Sequence, residues 1–172
     1  MFEHIKGKLK NNGHIPNTII DIGACYGVFT DKMLDVFPFA KYYLFESCNH
    51  PELQKFLVKD NVKVFNVLLN DKDQISEKIN IEDMKNVFIK INCKDTVLSI
   101  LKSVNNILNV TNFILLDLPF NNEYNNTSKM FVDCIKFLSE KGFVIFDGIH
   151  NYKVNDLKRY NMIFINTKYK FN

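Results

Sequence analysis

Carboxylates and glycines follow the first two apolar runs of the chain in an order that suits a ligand site. The first run, Thr18–Ile22, contains Asp21 and leads into Gly23 and Gly27 in the stretch TIIDIGACYG. Glu46 ends the next run, KYYLFE. An acid in that position accepts hydrogen bonds from a ribose diol. An acid at the mouth of a glycine turn works against a phosphate, which favours such turns, and suits a cationic or zwitterionic group.

Together these features predict a site for a nucleoside that carries a charged amino-acid tail, which describes S-adenosylmethionine (SAM). The turn is not the G-x-G-x-x-G of a dinucleotide fold, because Ala24 and Cys25 occupy part of that space. The simpler interpretation is a tight strand-to-helix turn and a solvated strand end. The order and separation of Asp21, Gly23 and Glu46 favour the SAM site.

Strand and helix patterns alternate along the chain. Apolar runs predict strands over 18–22, 41–45, 62–69, 112–117, 143–146 and 162–166, with an added strand over 87–91. Helical spacing predicts helices over 26–37, 51–58, 95–108 and 128–139. This alternation is typical of an α/β fold with a doubly wound parallel sheet. Ligands of such sheets bind beyond the carboxyl ends of the strands.

Composition restricts the class of protein. The 172 residues are 47% apolar and 24% charged, which is ordinary for one globular domain. The stretch MFEHIKGKLKNNGH lacks the apolar region of a secretory signal, so a cytoplasmic location without a membrane partner is expected. The net charge is +3 and Arg159 is the only arginine, which counts against nucleic-acid binding.

The cysteines predict reduced thiols and no metal centre. They form no C-x-x-C pair and no Cys/His cluster with zinc-ligand spacing. They are Cys25, Cys48, Cys93 and Cys134. A metal-dependent alternative would draw its oxygen ligands from Asp117, Asn121 and Asp147, which follow later strands.

The sequence resembles the FkbM-type methyltransferases, a branch of the class I SAM-dependent enzymes. The block IIDIGACYGVFTDKMLDVFPFAKYYLFES is similar to the D-x-G-A-x-x-G turn and the F-E-P strand end of that family. Four later segments are similar in the same order: VKVFNVLLND, KDTVLSILKSVNNILNVTNFILLDLPFNNEY, FLSEKGFVIFDGIHN and MIFIN. The resemblance covers about residues 15–168. It implies a single Rossmann-like domain over 1–172, with 1–14 as an N-terminal extension and an antiparallel last strand.

The resemblance also implies roles for the residues at the strand ends. The methionine end of SAM would meet the glycine turn, made of Asp21, Gly23, Ala24, Tyr26 and Gly27. Glu46 would hold the ribose with Ser47 beside it, and Asn70 or Asp71 would face the adenine. Asp117 would lie near the transferable methyl group.

Methyl transfer to a hydroxyl is helped by a base that removes the hydroxyl proton. The candidates are Asp117, Glu123 and His150, since histidine exchanges protons near neutral pH. Each has a simpler interpretation, as a loop anchor for Asp117 and as solvated loop residues for the other two. The predicted function is SAM-dependent O-methyl transfer to a small molecule or glycan.

Two other functions stay open. Pro119 and Phe120 stand where the FkbM family has an acid and a glycine after its central strand. That departure favours a catalytically degenerate protein that serves as a binding or scaffold module. A nucleic-acid methyltransferase is the third interpretation, and the scarcity of arginine counts against it.

Overall fold

The chain folds as a sheet with helices on both of its faces. The computed structural model describes residues 2–11, 13–69, 75, 77–93, 96–119, 125–150 and 159–169. The strands are β1 Thr18–Ile22, β2 Lys41–Glu46, β3 Val62–Asn66, β4 Val87–Ile91, β5 Thr111–Pro119, β6 Phe143–His150 and β7 Arg159–Asn166. The helices are α1 Phe2–Asn11, α2 Val28–Val36, α3 Val97–Ser103 and α4 Asn125–Glu140, with 3₁₀ helices at Pro51–Phe56 and Leu108–Val110. None of the helices in the described ranges is long and apolar enough to cross a bilayer.

The strands form one sheet in the order β3-β2-β1-β4-β5-β7-β6. The first five are parallel, and β7 runs antiparallel to β5 and to β6. The predicted α/β fold, mostly parallel with an antiparallel last strand, is confirmed. The strand order reverses between β1 and β4, since β1 is followed outward by β2 and β4 by β5. A reversal of this kind leaves a crevice at the carboxyl ends of the strands.

The central strands alternate their side chains between two hydrophobic cores. Ile20 and Ile22 of β1 pack with residues of α3 and α4, whereas Ile19 packs with residues of α1 and α2. Every residue of β1 and of β4 is buried, as expected at the centre of a sheet that is covered on both faces. The period of two places Asp21 on the same face as Ile19, under α2.

Four elements are shorter than the sequence pattern predicts, and the helix predicted over 51–58 is a 3₁₀ helix over Pro51–Phe56. The strand predicted over 62–69 ends at Asn66, and the three residues that follow line a cavity instead. The helix predicted over 95–108 ends at Ser103, whose Oγ donates a 2.8 Å hydrogen bond to the carbonyl of Ile100. Local side-chain bonds of this type compete with the helical ladder.

Candidate functional site

The turn between β1 and α2 is tied to the end of β2. The N–H groups of Gly23 and Ala24 both donate to the carbonyl oxygen of Phe45, at 2.9 and 3.2 Å. The N–H of Cys25 donates to Oε2 of Glu46 at 2.7 Å. These three consecutive N–H groups are satisfied within the protein, so the turn does not offer them to a phosphate.

Both glycines of the turn have left-handed backbone, for different steric reasons. Gly23 has φ +71°, and a Cβ there would lie 2.3 Å from the backbone oxygen of Asn92, because the β1 and β4 loops approach closely. Gly27 has φ +73°, and a Cβ there would lie 2.3 Å from Cε2 of Phe56. Gly23 thus allows two backbones to meet, and Gly27 allows the turn to pack on a buried ring.

Glu46 is a half-buried carboxylate at the end of β2. Its Oε1 accepts from the Cys48 N–H at 2.9 Å and from Ser47 Oγ at 3.3 Å, and Oε2 accepts from Cys25. Burial alone raises the pKa of this carboxyl. The hydrogen bonds from Cys48, Cys25 and Ser47 outweigh burial, and the pKa lies below its ordinary value of 4.5. Glu46 is therefore charged at neutral pH.

A buried ion pair lies beneath the turn. Nζ of Lys90 donates to Oδ1 of Asp21 at 2.7 Å and to the carbonyl of Gly23 at 2.6 Å. Thr30 Oγ1 donates to the other oxygen of Asp21 at 2.8 Å. Asp21 is 0% exposed and Lys90 7% exposed, so the Asp21 charge is matched inside the protein. A direct contact of Asp21 with a cofactor stays a prediction.

The first of two neighbouring cavities lies at the switch point between β1 and β4. This Glu46 cavity has a volume of about 350 Å³, within the range of small-molecule sites. Its apolar wall includes Ile22, Phe45, Leu69 and Ile100. Its polar rim includes Glu46, Ser47, Asn92 and Thr96. An apolar slot with a charged carboxylate at its rim has the chemistry of a nucleoside site.

The second cavity lies on the other side of the glycine turn. This Asp117 cavity also measures about 350 Å³ and shares Gly23 and Asn92 with the Glu46 cavity. Its lining includes Tyr26, Phe29, Lys90, Leu115, Asp117 and Asn161. Asp117 and Asn161 are paired across β5 and β7. The two cavities therefore adjoin at the turn, with Glu46 at one end and Asp117 at the other.

The structure brings most of the predicted turn residues to these cavities. Ser47 and Glu46 line the first, Ala24, Tyr26 and Asp117 line the second, and Gly23 lines both. Gly27 instead packs on a buried ring, as described above. The contacts of all these residues with a cofactor stay predictions.

The other predicted residues lie apart from the cavities or outside the described ranges. The backbone of His150 pairs with Tyr160, which pairs on its other side with Leu118, the neighbour of Asp117. Two strand spacings of about 4.8 Å separate His150 from Leu118. The side chain of His150 lies outside the described part of the chain. So do the remaining residues, Asn70, Asp71 and Glu123.

Sequence reasoning missed the contribution of β4 and the residues after it. Lys90 lies within β4, and Asn92, Cys93 and Thr96 follow it and line the Glu46 cavity. The pattern VFIKI predicts only an added strand, although β4 is the direct neighbour of β1. The available signal was Asn92, an amide directly after an apolar run, as at the other strand ends.

The cysteines around the site should differ strongly in reactivity. Cys25 and Cys48 are exposed. Burial raises the pKa of Cys93 to about 11 and that of Cys134 to about 12. Since the thiolate is the nucleophile, the raised pKa keeps Cys93 mostly in the unreactive thiol form at pH 8. We expect iodoacetamide at pH 8 to label Cys25 and Cys48 well before the other two, as measured by peptide mass spectrometry over time. Equal labelling rates in the folded chain would contradict the assigned burial.

Comparison with solved structures gives the fold of the class I methyltransferases. No protein-family model and no curated protein sequence matches the chain. A proposed O-methyltransferase from Klebsiella pneumoniae has a TM-score of 0.69 at 14% identity, over 96% of this chain and 80% of that one. The magnesium protoporphyrin IX methyltransferase of Synechocystis, solved with bound SAM, has a TM-score of 0.61 at 12% identity. The match covers 96% of this chain and 78% of that one. A proposed RNA methyltransferase from Pyrococcus horikoshii has a TM-score of 0.60 at 16% identity. The match covers 96% of this chain and 82% of that one.

These similarities show the class of fold, and the reaction has to be inferred from the residues of the site. The chain has the Rossmann-like fold that SAM-dependent methyltransferases share. Two of the three names state an acceptor, magnesium protoporphyrin IX and RNA, and these differ, which agrees with the general rule that one fold carries many functions.

Proposed function

We propose that this chain is a SAM-dependent methyltransferase. The observation that carries the proposal is Glu46, a charged carboxylate at the rim of a mainly apolar cavity at the switch point of the sheet. Each carboxylate oxygen has two acceptor positions. Glu46 uses positions on both oxygens to hold the turn through Cys25 and Cys48. Ser47 Oγ takes the second position on Oε1 at 3.3 Å, so one position on Oε2 is open to a ribose hydroxyl, and rotation of the Ser47 hydroxyl opens a second.

The glycine turn supports SAM over a phosphate-bearing cofactor. A pyrophosphate needs free N–H groups at the turn, and those of Gly23, Ala24 and Cys25 already have partners. SAM has no phosphate, so it binds without those N–H groups, and the charge of Glu46 attracts its sulfonium.

The residues of the two cavities would divide the work of the reaction between them. SAM supplies a methyl group that is activated by its bond to a sulfonium. Gly23 and Asn92, which line both cavities, would align the reacting groups at the junction. The rings of Tyr26 and Phe29 would exclude water from the Asp117 cavity. The Asp117 carboxylate would accept the proton that the acceptor hydroxyl loses as its oxygen bonds to the methyl carbon and the bond from that carbon to sulfur breaks, which leaves a neutral thioether.

The proposed acceptor is a hydroxyl group of a small molecule or a glycan, as in the FkbM-type enzymes. The 350 Å³ of the Asp117 cavity suits a small acceptor. An RNA acceptor is the second candidate, because RNA methyltransferases are among the proteins of similar fold. Tritium-labelled SAM separates them: we expect label in a set of polyols, phenols or sugars and none in total RNA. Label in RNA alone would favour the second candidate.

Calorimetric titration with SAM and its demethylated product tests the cofactor assignment. We expect Glu46→Ala to weaken binding by about 1–3 kcal/mol, roughly 5- to 150-fold, because ribose hydroxyls lose a charged acceptor. Glu52→Ala is the matched control, since Glu52 is an exposed acid on the nearby 3₁₀ helix and should leave affinity unchanged.

The outcomes separate the enzyme from the alternatives. No heat with millimolar SAM would contradict the proposal. Unchanged affinity in a folded Glu46→Ala chain would contradict the ribose assignment alone. Binding of SAM without label transfer to any acceptor class would favour the degenerate binding or scaffold protein.

A further inference from the structure

Three side chains with metal-binding atoms converge beside the Glu46 cavity. They belong to Glu46, Cys48 and His50, and one ligand atom from each lies within 4.8 Å of the others. The three residues alternate along the segment E-S-C-N-H, which leaves β2 without entering a helix until Pro51. The chain bends at Ser47 and Cys48 directly after β2. In extended chain Glu46 and His50 would lie about 13 Å apart, so the bend is what brings the three side chains together.

The surrounding groups hold two of the three ligands in place. The Cys25 and Cys48 N–H groups fix the Glu46 carboxylate, at 2.7 and 2.9 Å. The imidazole of His50 meets the ring of Tyr26 edge to face, with 4.8 Å between centroids. Hydrogen bonds that orient a ligand, like those to Glu46, raise the affinity of metal sites, and the ring contact limits the rotation of His50.

An open space lies against the three ligands. A separate cavity of about 150 Å³ is lined by Glu46, Cys48 and His50 together with the side of the 3₁₀ helix. A metal ion held by three protein ligands keeps one further position for water or a small ligand. The cavity provides room for that fourth ligand.

The ligand set selects a borderline transition metal. Thiolate, imidazole and carboxylate together suit Zn²⁺ and its analogues, whereas Mg²⁺ and Ca²⁺ prefer oxygen ligands. Bond lengths of 2.0–2.3 Å in a tetrahedron separate the ligand atoms by about 3.5 Å. Side-chain rotations that move the ligand atoms by about 1 Å bring the three atoms to that spacing. Cys48 is exposed enough to rotate.

We propose that Glu46, Cys48 and His50 form a binding site for Zn²⁺ or a closely related divalent ion. Binding converts the Cys48 thiol to a thiolate and releases its proton to solvent. The carboxylate and the thiolate then balance the two charges of the ion. The sequence predicts no metal centre because Cys–Cys and Cys–His spacings of known zinc motifs are absent. A carboxylate completes the set here.

The site also has a consequence for the cofactor, which rests on the proposed function. The metal ion would occupy acceptor positions of Glu46 that the proposal assigns to the ribose. Zn²⁺ and SAM should therefore compete, and the free metal concentration would regulate access of SAM to the cavity.

Cobalt titration of the full-length, tag-free chain tests the metal site without using SAM. Co²⁺ bound to a thiolate gives a charge-transfer absorption in the near ultraviolet. We expect this absorption to saturate at one Co²⁺ per chain, to disappear in Cys48→Ser and to need at least tenfold more Co²⁺ in His50→Ala. Cys25→Ser is the matched control, because Cys25 is equally exposed but its sulfur is outside the cluster. Circular dichroism checks that each variant is folded.

Each outcome of the cobalt titration either supports the metal site or overturns it. No thiolate absorption in the wild-type chain overturns the proposal, as does absorption that survives in Cys48→Ser and is lost in Cys25→Ser. Calorimetry with SAM is then repeated with saturating Zn²⁺, where we expect at least a tenfold loss of apparent affinity. Unchanged affinity overturns the competition. Cobalt absorption without any SAM binding leaves the metal site standing and contradicts the proposed function. SAM binding without cobalt absorption overturns the metal site and leaves the proposed function standing.

Discussion

Replacing Lys90 with alanine should lower the free energy of unfolding by about 3–5 kcal/mol, because it leaves a buried carboxylate without its counter-charge. Asp21 is 0% exposed, and within the described ranges the Thr30 hydroxyl would be the remaining side-chain donor to it. The substitution also removes the 2.6 Å hydrogen bond to the carbonyl of Gly23, so the turn loses an anchor. Urea denaturation of the wild-type and variant chains measures the difference.

The same experiment needs a control and a rescue. Lys63→Ala removes an exposed lysine of β3 and should change stability by less than about 0.5 kcal/mol. The double variant Asp21→Asn with Lys90→Met removes both charges and should recover a large part of the loss, since a buried pair is often replaced at little cost. If Lys90→Ala costs no more than Lys63→Ala, the ion pair does not hold the turn.

The ion pair changes which acid defines the site. The sequence places Asp21 at the mouth of the glycine turn, where it would meet a cationic ligand. In the structure Lys90 matches that charge, and Asp21 and Thr30 join β1 to α2 beneath the turn. Glu46 is then the charged acid on the rim of the first cavity. The occupied N–H groups of the turn, rather than the charge of Asp21, therefore disfavour a phosphate.

The predictable part of this structure is the part with local signals. The apolar run before Asp21, the two glycines and the acid that ends β2 together gave the strand, the turn and the α/β class. Lys90 had no comparable signal. Its partner Asp21 lies 69 residues away, and a lysine in an apolar run is normally solvent-facing. The bond between Cys25 and Glu46 spans 21 residues and is equally invisible to local patterns.

The walls of the cavities were harder to predict than their rims. Residues 67–69 continue an apolar run, so the pattern extends β3 through them, yet they leave the sheet and line the Glu46 cavity. An apolar run does not by itself distinguish a strand from a cavity wall, and Leu68 in this run is 72% exposed. Strand-end polar residues were informative because the topology of a parallel sheet brings them to one edge.

Gly23→Ala is expected to lower stability by about 2–5 kcal/mol, through backbone strain and a steric clash together. The backbone at Gly23 has φ +71°, which an L-residue adopts at a cost of about 1–2 kcal/mol. The new Cβ would also lie 2.3 Å from the backbone oxygen of Asn92 and 3.0 Å from Sγ of Cys93. Relief requires β1 and β4 to separate at the point where the two cavities meet.

Gly13→Ala isolates the strain from the clash. Gly13 has nearly the same backbone, φ +69°, but no atom lies within 4 Å of a Cβ placed there. We expect it to lose only the conformational part, about 1–2 kcal/mol, in urea denaturation. The difference between the two variants measures the contact between the β1 and β4 loops. Equal losses would mean that the loops separate without cost, and Gly23 would then be needed for its conformation alone. A larger loss at Gly23 shows that the junction of the two cavities is rigid, as alignment of two reacting groups requires.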